Sequence, residues 1–142
     1  MGLRINTIES LLQGIAVPAG QKLTVMVGDT VRVHLAADYR GPAIDGEIHV
    51  SYGSQNAWFN EDGNKQSKPD LPVYFDQSMD FLPYEFACDI YIGGSPGENF
   101  DLYAKIMGVP GPDIFSPTLF NVLDVLGAAE FQNFEIASYE KV

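Results

Sequence analysis

A chain of 142 residues, 46% of them hydrophobic, is long enough to bury one substantial core and too short to divide comfortably into two. Its 8 lysines and arginines stand against 19 acids, for a formal net charge of -11. The basic residues are scattered along the chain, so neither nucleic acid nor an anionic membrane surface is an expected partner. The excess of acid is read as a device for solubility and mutual repulsion.

Residues 6–14 read as one short helix. Asn6 can cap it, Glu9 follows three residues later as in a capping box, Ile8, Leu11 and Leu12 form an apolar stripe, and Gly14 can end it. A helix this short is not stable alone in water, so its stripe has to dock on its own domain or on a neighbouring subunit, the former preferred. Residues 15–18 are extended because the residue before a proline avoids the helical region. Together these make an N-terminal arm over residues 1–21, ahead of a single domain over 22–142.

The domain opens with three strands expected to form a meander. The first covers residues 22–27. In the second, Val31, Val33 and Leu35 alternate with Arg32 and His34; in the third, Ile48, Val50 and Tyr52 alternate with Glu47, His49 and Ser51. Successive side chains of a strand point to opposite faces, so each run puts its apolar set on a core and its polar set in water.

Residues 53–83 are dominated by turn formers, with two short edge strands expected at 57–60 and 71–75. Alternation returns at 84–92 and at 99–107, read as a hairpin closed by the glycine-rich turn 93–97. The run 116–127 carries both signals. Ser116 before Pro117, with Leu119, Leu123 and Leu126, suits a helix, whereas Phe120, Val122 and Val125 suit a pleated surface; strand is preferred. A final strand over 131–139, alternating at Phe134 and Ile136, would lie at an edge that another chain can extend.

Cys88 is the single cysteine, so the chain has no internal disulfide; it shares a face with Phe86 and Ile90 and reads as a small buried hydrophobe. The first residues lack a secretory apolar stretch, and no window is apolar enough to span a bilayer, so synthesis and folding in a reducing cytoplasm are expected.

The run Val27-Gly-Asp-Thr-Val31 followed by Asp38-Tyr39-Arg40-Gly41, and the strand Phe100-Asp-Leu-Tyr-Ala-Lys-Ile106, resemble phrases of bacterial and phage immunoglobulin-like domains. The resemblance spans roughly residues 22–126 and implies an all-β fold, an immunoglobulin-like antiparallel β-sandwich preceded here by the short N-terminal helix. It carries over no functional residue. The paired cysteines of antibody domains are missing, and Trp58 follows the third run instead of lying inside a core strand.

Motifs for chemistry are sparse. His34 and His49 fall on polar faces of strands that a sandwich can assign to opposite sheets, so both are expected exposed or partly packed, with no third ligand for a metal. There is no Gly-x-Ser-x-Gly elbow, and Gly93-Gly-Ser-Pro-Gly-Glu98 lacks the lysine of a phosphate loop. Asn60-Glu-Asp-Gly-Asn64 reads as a solvated turn in preference to a calcium loop. No catalytic residue, metal or other cofactor is expected.

The expectation that follows is a non-enzymatic structural or assembly protein. It would be an immunoglobulin-like virion component (decoration, tail or capsid-associated) or a subunit of a homopolymer, partnered by itself or by other structural subunits. Its contacts would be Ile8, Leu11 and Leu12 at one end and Phe131, Phe134, Ile136 and Tyr139 at the other. The alternative is a carbohydrate-binding or adhesive module that stacks sugars on Trp58, Phe59 and Tyr74.

Overall fold

The computed structural model describes residues 2–53, 70–93 and 96–127. These form ten strands and no helix: β1 Leu3–Ser10, β2 Ile15–Pro18, β3 Leu23–Met26, β4 Thr30–Gly41, β5 Ile44–Gly53, β6 Leu71–Phe75, β7 Ser78–Tyr91, β8 Gly97–Met107, β9 Ile114–Phe115 and β10 Leu119–Leu126. One sheet has the order β2-β1-β4-β7; the other has β3-β10-β8-β5-β6, with β9 laid against β8. All pairs are antiparallel except β3 with β10. The core between the sheets is built from the inward rows of the longest strands, among them Val31, Val33 and Leu35, Ile48 and Val50, Cys88 and Ile90, and Leu102 and Ala104. Among the described residues no helix is long and apolar enough to cross a membrane.

Residues 3–10 form a strand where the sequence predicts a helix. β1 lies between β2 and β4, and residues 3–18 are part of the first sheet in place of an appended arm. The stripe Ile8, Leu11 and Leu12 joins one buried strand residue to two exposed residues of the turn that follows, and a bulge just before it hides the period of two. Ile5 pairs with Leu35 and Thr7 with His34, so Asn6 is an extra residue, and Ile5 and Ile8, three apart, both face the core. Leu11 and Leu12 belong to the turn between β1 and β2. Gly14, at a φ of 68°, closes that turn with its N–H on the Ser10 carbonyl at 2.9 Å.

Two pairings also differ from expectation. β3, β4 and β5 do not pair with one another, because β4 belongs to the first sheet while β3 and β5 belong to the second. β7 and β8 likewise sit in opposite sheets: β7 pairs with β4, and β8 with β5 and β10. Alternation identifies a strand and its buried face but carries no information about the neighbour. The strand reading of 116–127 agrees with β10, and that of 71–75 with β6 at a sheet edge. The expected strands at 57–60 and 131–139 lie outside the described residues.

The crossing from β3 to β4 is tied down at Asp29, whose side chain is 1% exposed. Ser10 Oγ donates to Asp29 Oδ2 at 2.5 Å, and the N–H groups of Leu12 and Thr30 donate to Oδ1 at 3.0 and 2.7 Å. The backbone on either side is held as well: Ile92 N–H reaches the Asp29 carbonyl at 2.9 Å, Gly28 N–H the Ile92 carbonyl at 2.7 Å, and Val27 N–H the Leu126 carbonyl at 2.9 Å. One buried carboxylate thus joins the β1–β2 turn to the point where the chain changes sheets. Asp29→Ala strands three donors in a dry site and is expected to lower stability by about 2–4 kcal/mol in urea denaturation. A loss below about 0.5 kcal/mol, the ordinary surface value, would show that the clamp is dispensable. Deleting residues 2–10 removes a central strand, so circular dichroism of that variant is expected to show an unfolded chain.

Candidate functional site: a buried polar face on the second sheet

β5 and β8 run side by side with His49 opposite Lys105, Ser51 opposite Tyr103 and Gly53 opposite Asp101. Their inward rows, Ile48, Val50 and Tyr52 with Leu102, Ala104 and Ile106, belong to the core. His49, Ser51, Asp101, Tyr103 and Lys105 therefore share the outer face of the sheet. That face is not wet: His49 and Ser51 are fully buried, and Asp101, Tyr103 and Lys105 nearly so. The sequence places His49 at a surface; β5 is in fact buried on both faces, a condition that an alternating pattern does not signal.

Each polar group on this face has a specific partner. Asp70, at the start of the segment leading into β6, places Oδ1 2.9 Å from His49 Nδ1, and the other ring nitrogen, Nε2, lies 3.1 Å from Ser51 Oγ. Lys105 Nζ meets Asp113 Oδ2 at 3.2 Å and lies 5.8 Å from the centre of the Phe115 ring, which also packs on Tyr103. Asp101 Oδ1 accepts the N–H of Asn121, a residue at a φ of 56°, and so pins the irregular middle of β10. Asp101 Oδ2 is, among the described residues, the one buried side-chain polar atom without a hydrogen-bond partner.

Asp70, His49 and Ser51 stand in the order carboxylate, imidazole, hydroxyl, which elsewhere makes an orienter, a base and a nucleophile. A carboxylate accepts the Nδ1 proton, which leaves Nε2 free to accept from the serine hydroxyl. A nucleophile must also reach a carbonyl carbon and be faced by donors for the oxyanion. Ser51 is fully buried within a paired strand, and the chain of bonds gives the two buried groups, His49 and Ser51, hydrogen-bond partners through a carboxylate that is itself partly exposed.

The other histidine, His34, lies on the outer face of the first sheet, with Nε2 3.1 Å from Glu9 Oε1. The two histidines are in opposite sheets and do not converge. No group of three or more histidine, cysteine or acidic residues that could hold a metal ion occurs among the described residues.

Of the contact residues expected from sequence, Ile8 is a fully buried core residue and is not available at a surface; Leu11 and Leu12 are exposed in the β1–β2 turn. Tyr74 is exposed on β6. Trp58 and Phe59, the Asn60 to Asn64 turn, and Phe131, Phe134, Ile136 and Tyr139 lie outside the described residues.

Sequence reasoning missed one surface. Beyond Leu3, which pairs with Ala37, β4 and β7 continue together as a two-stranded ribbon through Asp38 opposite Pro83, Tyr39 opposite Leu82 and Gly41 opposite Ser78. The ribbon exposes Phe81, Leu82 and, at 90%, Met79, with the Arg40 guanidinium 4.5 Å above the Phe81 ring. Met79 and Phe81 do continue the strand period, but Pro83 interrupts it, and an edge strand is where a proline is tolerated.

No protein-family model matches the chain, and no curated protein matches it significantly in sequence. Fold and surface define a class, an all-β protein of two sheets with a buried polar face on the second sheet and with exposed apolar side chains on the β4–β7 ribbon and elsewhere, Leu12, Phe115, Phe120 and Leu126 among them.

For the buried network, Asp70→Ala and His49→Ala are each expected to cost about 2–4 kcal/mol, with the double variant little worse than either. Strictly additive losses in denaturant titrations would mean that the two side chains do not act together. Nitrogen NMR of neutral His49 is expected to show the proton on Nδ1; a proton on Nε2 would contradict the assigned bonds.

Proposed function

We propose that this chain is a non-enzymatic structural module, an immunoglobulin-like sandwich that works by associating with copies of itself or with other structural subunits, as virion decoration, tail and capsid-associated domains do. The strand order supports the immunoglobulin-like reading. β1, β4 and β7 take the places of strands A, B and E, while β5, β8 and β10 take those of C, F and G, with β6 as the added C′ strand.

The observation that carries the assembly reading is the ribbon. Met79, Phe81 and Leu82 stand exposed on the part of β7 that pairs with β4 beyond the end of β1. Met79 and Phe81 stand two apart on one strand, and exposed apolar side chains grouped in this way are a feature of protein contacts. Ile8 drops out of the contact set, and Leu11, Leu12 and the tail residues Phe131, Phe134, Ile136 and Tyr139 remain as secondary contacts in this reading.

Light scattering of the full-length chain over a concentration series tests it. Mass is expected to rise with concentration, and the double substitution Met79→Asp with Phe81→Asp is expected to weaken association at least about tenfold while leaving the melting temperature nearly unchanged, since surface changes cost little. A monomer at every concentration would sink self-association, and an assembly indifferent to the double substitution would remove the ribbon from it.

A further inference from the structure

Sulfur is sparse in this chain and unevenly placed. Among the described residues four side chains carry it: Cys88 is 4% exposed within the core, Met26 and Met107 are half-buried, and Met79 is 90% exposed. The next most open large apolar side chain of the described residues, Leu12, is 66% exposed. A thioether is an apolar group whose polarity a mild oxidant can change, so a methionine at this place gives the ribbon a chemistry that a leucine would not.

The backbone sets Met79 in the open. Tyr39 pairs with Leu82 and Gly41 with Ser78, so the single residue Arg40 of β4 is opposed by three residues of β7, Met79, Asp80 and Phe81. Extra residues on one strand make a bulge, and a bulge re-aims the side chains that it carries. The Ser78 side chain holds this one at its base: its Oγ accepts the Asp80 N–H at 3.1 Å and donates to the Asp80 carbonyl at 2.7 Å. Across the bulge the Arg40 guanidinium is engaged with the Phe81 ring at 4.5 Å, and Met79 stays in solvent on a backbone that is fixed on either side.

A peroxide transfers one oxygen atom to such a sulfur. The O–O bond breaks, an S–O bond forms at the cost of two electrons from sulfur, and hydrogen peroxide leaves as water. The sulfoxide is polar, and methionine sulfoxide reductases return it to the thioether. In a protein contact the thioether buries apolar surface, whereas the sulfoxide has to bury an oxygen for which the contact supplies no donor. Access decides the order of reaction, so the half-buried Met26 and Met107 and the buried Cys88 follow Met79.

We propose that Met79 is a reversible redox switch on the ribbon. In the free chain it is the first residue that a peroxide oxidises, its sulfoxide weakens the association made through Met79 and Phe81, and reduction restores that association. The consequence for association rests on the assembly reading; the order of oxidation does not.

The test treats the full chain with dilute hydrogen peroxide, locates the added oxygen by peptide mass spectrometry, and follows association by light scattering before and after. Met79 is expected to take up oxygen ahead of Met26 and Met107. Association is expected to weaken at least about fivefold, the cost of burying one unpaired polar group, and to return when the two methionine sulfoxide reductases, one for each epimer, have acted. Met79→Leu keeps an apolar side chain at a surface position, so it is expected to fold and to associate like the unaltered chain, and to be indifferent to peroxide. The proposal is overturned if Met26 or Met107 is oxidised first, if the oxidised chain associates as tightly as the reduced one, or if Met79→Leu loses association to peroxide to the same degree. A chain that is monomeric at every concentration before any oxidant would sink the assembly reading and the switch together, whereas association that survives oxidation of Met79 removes the switch alone.

Discussion

The structure depends on a buried carboxylate at the place where the chain changes sheets. Asp29 sits between β3, the parallel partner of β10, and β4, the central strand of the other sheet. Taking a carboxylate out of water is costly unless its oxygens are met by donors, and here a hydroxyl and two backbone N–H groups meet them. Because those donors come from the β1–β2 turn and from the start of β4, the carboxylate is satisfied only when both are in place. The Ile92 backbone closes the same knot from the end of β7. A chain that must cross between sheets several times has few local interactions to fix which strand goes where. This cluster supplies one that is specific.

The crossing also explains which parts of the fold the sequence discloses. Inward rows such as Val31-Val33-Leu35 and Leu102-Ala104-Ile106 follow from the period of two, whereas β6 and β10 were legible as strands from their aromatic and β-branched residues. Partners were not. Sequence neighbours β4 and β5, or β7 and β8, invite pairing as hairpins, yet each pair is split between sheets. Bulges did further harm: an extra residue at Asn6 breaks the alternation between Ile5 and Ile8 that would have marked a strand, and the irregular register of β10 around Asn121 puts Val122 and Leu123 both in the core. With the strand period broken, Ile8 of β1 and Leu11 and Leu12 of the turn were left to imitate a helical stripe.

The candidate site was legible only in its parts. His49, Ser51 and Asp70 were visible as residue types, but their alignment depends on β5 being covered on both faces, and Asp70 lies well beyond the strand in sequence. The outer face of the first sheet behaves as a simple alternating pattern predicts, with Arg32 paired to Asp89 at 2.8 Å and His34 to Glu9, all partly exposed. The Arg32 guanidinium is held above its ordinary pKa by the hydrogen bond and charge of Asp89, a surface interaction of little consequence for stability. One sheet therefore keeps an open polar face, while the polar residues on the outer face of the other are buried. The polar layer restricts which register β5 and β8 adopt, because a shift by one residue would turn His49 and Lys105 into the apolar core.

Charge decides which part of β7 is fit to meet another molecule. The strand carries Asp80, Glu85 and Asp89 and no basic residue, and Pro83 removes one backbone donor from it. Two copies joined along this strand would set acid near acid, on chains that each carry a net charge of -11. Such features blunt an edge against continuous pairing. The apolar residues Met79, Phe81 and Leu82 are displaced from Glu85 and Asp89 toward the tip, where β4 contributes Arg40 over the Phe81 ring. At the tip one acid, Asp80, stands between Met79 and Phe81 with the Arg40 guanidinium close by over the Phe81 ring, whereas extension of the sheet through the body of β7 is opposed by Glu85 and Asp89. In the proposed assembly the same strand would make its contact at one end and be opposed at the other.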